Sequence, residues 1–425
     1  MITKEFKNLD VNLFYEKLDN GLDIYLIPYE NRNNYYIDYC VRYGSNDNVF
    51  ISKKTNKKVR MPYGIAHFLE HKMFEQEDGL DPFSYYSETG TDSNASTSYD
   101  ITSYTLDGTK NIEDNLDFLL NFVNSPYFTK KNVSKEKGII IEELNMYKDE
   151  PENILYVESN KAIFHKHPIR VDIGGSPASV RKITKEMLDE CYDTFYQPNN
   201  MFLVISGSFD KEKILNIIKK NKKLNARELS EKPNVIKIDE PFMVNVKEKE
   251  IKIKNLVIPK FILSFKYSIK EMKSAEACKY ILSLDILLYV LYGSSSDFRE
   301  EILKQEMSSL FYSSSDRIDD IIIVEFIAET TKPYVLKEKI INCLNNKIIT
   351  KEDVERVKKV RISLEVMDSD KPLRIMNKVV NNIINYNEVI YNKIDIIRSI
   401  TLDDIIKARK DIIVDNYSFI LGIPR

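Results

Sequence analysis

The chain has 425 residues, more than one ordinary core accommodates, so two domains of about 200 residues each are expected. Its 62 Lys and Arg nearly balance 65 Asp and Glu, giving a net charge of −3, without the strong basic excess of a nucleic-acid binder. Hydrophobic residues reach 43%, enough to fill packed cores. The N-terminus, Met1 to Gly21, is charged and has no apolar stretch of the signal-peptide kind. A strand is predicted from Tyr35 to Tyr43, then helices near 64–76 and 81–89. Strands at 93–99 and 101–107 and a helix at 111–124 follow. Thr129 opens a long helix to Met146, and Ile183-Thr184 opens another that leads into the strand Phe202–Gly207. The stretch Asn221–Pro233 is polar and lacks apolar periodicity, as a linker does. Beyond it a strand (Pro259–Tyr267), helices (275–292, 296–306), strands (309–315, 320–328) and a helix (335–346) repeat the earlier order.

The repetition extends to single residues. Thr129–Met146 resembles Thr350–Met367 at a shift of 221 positions, and both segments start with a Thr placed to cap a helix. Ile400-Thr401 leads to Tyr417–Gly422 as Ile183-Thr184 leads to Phe202–Gly207. The predicted fold class is therefore α+β, with two homologous domains, each a mostly antiparallel sheet packed by helices. Boundaries fall at residues 1–222 for the first domain, 223–242 for a linker and 243–425 for the second. Cys40, Cys191, Cys278 and Cys343 lie far apart without a C-x-x-C. Buried free thiols in a reducing cytoplasm are expected, not disulfides or a cysteine zinc site. No apolar run is long enough to span a membrane, so a soluble cytoplasmic protein without membrane or nucleic-acid partners is the reading.

The chemistry concentrates in Gly64-Ile-Ala-His67-Phe-Leu-Glu70-His71. His67 and His71 are four apart, so a helix presents them on one face to one ion, with Glu70 on the same side. Two imidazoles and one oxygen ligand leave a fourth zinc position for water, whose proton a nearby carboxylate can take. The order H-x-x-E-H inverts H-E-x-x-H and is itself a metallopeptidase signature. A third ligand is offered by the later helix, where Glu136 and Glu143 are seven apart and share a face, while Glu142 points about 100° away. One of the two can bind metal while the other supports a histidine. The repeat acts as an internal control. At the same shift Glu136 falls on Val357 and Glu143 on Leu364, and His67, Glu70 and His71 fall near Leu288, Leu291 and Tyr292. The polar set occurs in one copy only, which argues that it has a task beyond the fold. Only four histidines are present, and the motif uses two. His165 and His167, at i and i+2, share no helical face and read as a loop. Gly174-Gly-Ser176 and Gly293–Ser296 lack a phosphate-binding Lys and read as turns.

At Gly64–His71, Asn94-Ala95-Ser-Thr97, Glu136–Glu143 and Tyr196-Gln-Pro-Asn-Asn-Met201 the sequence resembles the pitrilysin-type (M16, inverzincin) metallopeptidases. That group includes insulin-degrading enzyme and the mitochondrial processing peptidase subunits. The resemblance covers nearly the whole chain, and 72 positions separate His71 from Glu143, close to the family's spacing. It implies one Zn2+ per chain held by His67, His71 and Glu143, with Glu70 as general base and Glu136 as a supporting catalytic carboxylate. It implies a pitrilysin/LuxS-type half-clamshell, two such chains enclosing a chamber in which unfolded peptides or oligopeptides are cut. Asn94, Ala95 and Thr97 correspond to the family's edge strand, which pairs with extended substrate. One feature departs from the pattern. Active members carry an Arg seven residues before a Tyr in the second domain, and here Gln305 precedes Tyr312. The resemblance then implies a heterodimer with a homologous chain that lacks HxxEH and supplies Arg and Tyr, or else a homodimer. The alternative is a peptide-binding or assembly subunit with a zinc site and no turnover of its own.

Overall fold

Aromatic and β-branched runs such as Tyr35-Tyr-Ile-Asp-Tyr-Cys-Val41 suit a central strand buried on both faces. The computed structural model describes residues 1–269 and 272–425. Two compact units form. The first comprises Met1–Asn145, Asp172–Lys237 and Met367–Ile384; the second comprises Met146–Val171, Ile238–Val366 and Asn385–Arg425.

The first unit is built on strands β1 (Ile2–Glu5), β2 (Asn12–Lys17), β3 (Asp23–Pro28), β4 (Tyr35–Val41), a short hairpin of β5 (Val49–Ile51) and β6 (Lys58–Arg60), β7 (Asp92–Thr97), β8 (Thr102–Gly108) and β9 (Met201–Gly207). Seven of them form one sheet in the order β1-β2-β3-β9-β4-β8-β7, antiparallel throughout except for the parallel β3–β9 pair. Ile37, Tyr39 and Val41 of β4 face a core that includes Phe68 and Leu69 of the Ile65–Met73 helix and Leu116, Leu119 and Leu120 of the Ile112–Val123 helix. Just past the ends of β4 and β3, Arg42 donates to the Ile383 carbonyl at 3.2 Å, and Tyr29 donates to the Ser369 carbonyl at 2.6 Å. The segment Met367–Ile384 thus belongs to this unit although it lies far along the chain.

The second unit repeats the design with β10 (Glu248–Ile253), β11 (Lys260–Ser268), β12 (Leu310–Ile318), β13 (Ile321–Glu329) and β14 (Tyr417–Pro424). Its order is β10-β14-β11-β13-β12, again with one parallel pair, β10–β14. This matches β3-β9-β4-β8-β7 strand for strand, with nothing corresponding to β1 and β2. One face carries the core around Phe265, Val324 and Leu287. The other receives the Pro151–Ile163 helix through Leu155 and Ala162, against Ile253, Ile262 and Ile420. Each unit therefore takes one helix from the sequence half of the other.

The helix starts follow local chemistry. Thr129 and Asn132 cap each other, as do Thr350 and Asp353, and Thr184 and Thr401 accept from the backbone of Met187 and Asp404. The stretch read as a linker is tied down at several points. Asn221 caps the short Lys222–Asn225 helix, Leu224 is buried, and Val235 bridges to Phe50. Further on, Glu240 accepts the backbone N–H groups of His165, Lys166 and His167 and pairs with the buried Lys266 at 2.9 Å. His165 and His167 therefore sit in an anchored loop. Cys40, Cys191 and Cys278 are buried free thiols, and Cys343 is half-buried and also free.

Candidate active site

Gly64 begins the motif helix with φ 88°, a left-handed conformation that favours glycine. A Cβ there would meet the Gly174 carbonyl oxygen at 2.2 Å, so the helix start and the Gly174-Gly175 turn pack backbone to backbone. Ile65, Phe68, Leu69 and Met73 point into the core and fix the helix's rotation. His67 and His71 then share the other side, their rings edge to face with centroids 4.5 Å apart.

The Lys130–Tyr147 helix lies across from them with only Asn132, Val133 and Ile140 buried. Its seven-residue spacing presents Glu136 and Glu143 to the histidines, while Glu142 is exposed. His67 Nε2 is 3.7 Å from Glu143 Oε1, and His71 Nε2 is 3.5 Å from Glu143 Oε2. One ligand atom from each of His67, His71 and Glu143 lies within 4.8 Å of the others, the one such group of three among the described residues. Neighbouring ligands of a tetrahedral zinc stand about 3.4 Å apart when the bonds are about 2.1 Å. The donor set fits that ion. Glu143 Oε2 is buried without a hydrogen bond, a state that a cation would relieve.

The surroundings differ from ligand to ligand. His71 Nδ1 is 3.1 Å from Glu136 Oε1, which orients its ring. His67 Nδ1 is buried without a partner, next to Gly174. Burial, helped by His71, pushes the His67 pKa down to about 4, so its ring is neutral, the form that binds metal. For His71 burial works in the same direction, but the Glu136 hydrogen bond and the charges of Glu70, Glu136 and Glu143 outweigh it and raise its pKa. Glu136 moves opposite: burial would raise its pKa, and the His71 hydrogen bond with nearby positive charge lowers it. Burial raises the pKa of Glu70, against the bond that Thr97 Oγ1 donates to its Oε2 at 2.6 Å.

Thr97 thus joins the site directly. Asn94 and Ala95 lie on β7, an outer strand of the sheet, where Asn94 Oδ1 accepts the N–H of Ala95 at 2.9 Å. In the second unit Gln305 closes the Asp297–Lys304 helix and donates to Glu301 at 3.2 Å, and Tyr312 on β12 is 62% exposed. The motif pattern passes over Arg299, whose guanidinium donates to the Phe311 carbonyl at 3.2 Å and lies over the Phe311 ring. Lys72 was equally invisible as a site residue: it is fully buried and sits 3.8 Å from Glu136. Its only sequence signal is a charge on the core side of an amphipathic helix.

A duplicated α+β fold with HxxEH in one copy alone is the fold of the M16-type peptidases. The chain belongs to peptidase family M16. Residues 59–175 match the insulinase domain of that family and residues 182–361 match its M16 inactive domain. The chain is 35% identical to the uncharacterized zinc protease YmfH of Bacillus subtilis, over 99% of both chains. It is 24% identical to the zinc protease PqqE of Helicobacter pylori, over 83% of this chain and 76% of that one. A crystal structure described as an M16-like peptidase from Alicyclobacillus acidocaldarius superposes with a TM-score of 0.92 at 30% identity, covering 99% of this chain and 100% of that one.

Proposed function

We propose that this chain is a zinc-dependent endopeptidase acting on unfolded peptides, with His67, His71 and Glu143 as metal ligands. The observation that carries it is the spacing of those three donors beside a buried carboxyl, Glu70. Zinc bound there supplies a Lewis acid and lowers the pKa of its water. Glu70 takes the proton of the attacking water and returns one to the leaving amine; a carboxyl with a raised pKa suits both transfers. Thr97 holds the Glu70 carboxylate in place, and Glu136 holds His71. The outer strand β7, with Asn94 and Ala95, would present its open edge to an extended peptide, a pairing that a folded strand cannot make.

Gln305 in place of the family Arg supports a two-chain enzyme. The proposal is a heterodimer with a homologous chain that lacks HxxEH and supplies Arg and Tyr; a homodimer is the second choice. The four free thiols suit a reducing cytoplasm. No helix among the described residues is long and apolar enough to cross a membrane. Gln305 also favours a second reading, a peptide-binding or assembly subunit that holds zinc without turnover.

The test incubates the zinc-loaded chain with a quenched unstructured peptide, with and without a candidate Arg–Tyr partner, and uses Glu70→Gln as control. Cleavage that disappears in Glu70→Gln supports the peptidase. Zinc binding with no cleavage in any combination moves the assignment to the binding subunit.

A further inference from the structure

Lys72 follows the second motif histidine and is 0% exposed, on the core side of the helix. Charged side chains are almost never fully buried unless they are paired. Its Nζ pairs with Glu75 one turn on and lies 3.8 Å from Glu136 Oε2. The other oxygen of that carboxylate, Oε1, is the one 3.1 Å from His71 Nδ1. Glu136 therefore bridges an imidazole and a buried ammonium.

We propose that Lys72 is a positioning residue of the metal centre: it pins the Glu136 carboxylate and, through it, sets the ring orientation and tautomer of His71. The inference rests on His71 being a metal ligand. A terminal carboxylate torsion is soft, and one hydrogen bond leaves it free to swing. The helix that carries Glu136 buries three of its residues, and Glu136 is not one of them, so backbone packing alone does not fix its side chain. A second, cationic partner does. With Glu136 fixed, Nδ1 of His71 carries the proton and Nε2 faces Glu143.

Pairing with Glu75 alone does not account for the buried ammonium. Glu75 is 40% exposed and well hydrated, whereas Lys72 gives up all its water. A methionine would fill the same space at no electrostatic cost. The direct effect of Lys72 on a metal has the opposite sign, because an ammonium repels a divalent cation. The sign of the measured effect therefore separates positioning from simple repulsion.

The experiment measures Zn2+ affinity of the full chain by chelator competition for wild type, Lys72→Met, Lys72→Arg, Glu136→Gln and the double variant Lys72→Met/Glu136→Gln. Lys72→Met is expected to weaken zinc binding about 10-fold or more, the range seen when a group behind a ligand is removed. Lys72→Arg is expected to restore most of it. On the Glu136→Gln background Lys72→Met is expected to cost nothing further. Unchanged or tighter binding in Lys72→Met, or losses that add in the double variant, would overturn the proposal. Where Lys72→Met does not fold, Lys72→Gln takes its place. Nitrogen-15 NMR of the metal-free protein gives a second readout, simple because there are only four histidines. In spectra recorded at alkaline pH, where the ring is neutral, His71 is expected as a single Nδ1–H tautomer in wild type and as a mixture in Lys72→Met; an unchanged tautomer counts against the proposal. If wild type binds no zinc, the metal reading fails, and the tautomer still decides whether Lys72 acts on His71.

Discussion

Arg361 and Asp285 lie 2.6 Å apart and join the two helices of the second unit that repeat the motif helix and the Glu143 helix of the first. Arg361 also lies over the Tyr289 ring. Around them Leu288, Leu291 and Tyr292 are buried where the first copy has His67, Glu70 and His71. The metal-free copy thus links these helices with an ion pair. Asp285 keeps 41% of its side chain exposed, so water screens the pair. Arg361→Ala is expected to cost about 1 kcal/mol of stability. Zinc affinity should not change. A zinc titration and a urea melt of the same variant check both halves.

Ligand and base substitutions should separate cleanly. Zinc that binds only the folded chain should raise its stability by about 2.7 kcal/mol at 100 times Kd. His67→Ala and Glu143→Gln are expected to abolish that gain in a thermal shift assay. Glu70→Gln should keep it and lose turnover by a factor of about 100 to 10,000, the usual worth of a general base. Full activity in Glu70→Gln would remove Glu70 from its role.

A second titratable group sits in the first unit's sheet. Asp38 on β4 is 6% exposed, and burial pushes its carboxyl up to about 6 from the usual 3.8, despite the bond Cys40 donates at 2.9 Å. The folded state therefore holds this proton more tightly than the unfolded chain. Its contribution is fully present below about pH 3.8 and is lost as pH rises to about 6. The loss is of order 3 kcal/mol. Asp38→Asn has no charge to desolvate. It is expected to be more stable than wild type above pH 6, and the difference should shrink as pH falls toward 4. Urea midpoints across that range, compared between the two proteins, are the measurement.

The sequence made the repeated elements legible because their signals are local. Capping threonines, alternating strands and helical spacing each act within a few residues, and Thr129, Thr184, Thr350 and Thr401 all cap. The same locality made the candidate donors visible, since HxxEH and the Glu136–Glu143 spacing are helix geometry. What stayed hidden depends on distant packing. The Pro151–Ile163 helix and the Met367–Ile384 segment join the unit built from the other half, and an amphipathic pattern does not say which sheet a helix covers. The edge strand β1 is exposed along its whole length and shows no buried face to read. Lys72 reads as a misplaced charge until the structure puts Glu136 beside it. Glycine at Gly175, read only as a turn, is required by its left-handed φ of 80° and by the Tyr63 carbonyl, which a Cβ would meet at 2.5 Å.

Thr97 closes the chain of dependence from strand to base. Its hydroxyl donates to Glu70 at 2.6 Å from the last residue of β7, so the strand that would align a peptide also holds the proposed base. Thr97→Val keeps the shape and the β-branched preference for a strand but removes the donor. A hydrogen bond to a charged group is worth about 1.5–3 kcal/mol. Turnover is then expected to fall roughly 10- to 100-fold. Zinc affinity should stay unchanged, because no metal ligand loses a partner. KM should also stay unchanged, because the backbone groups of β7 remain. A variant that loses peptide affinity instead would show that Thr97 shapes the strand and does not hold the base. Steady-state kinetics on one unstructured peptide, with zinc affinity measured in parallel, separates the two roles.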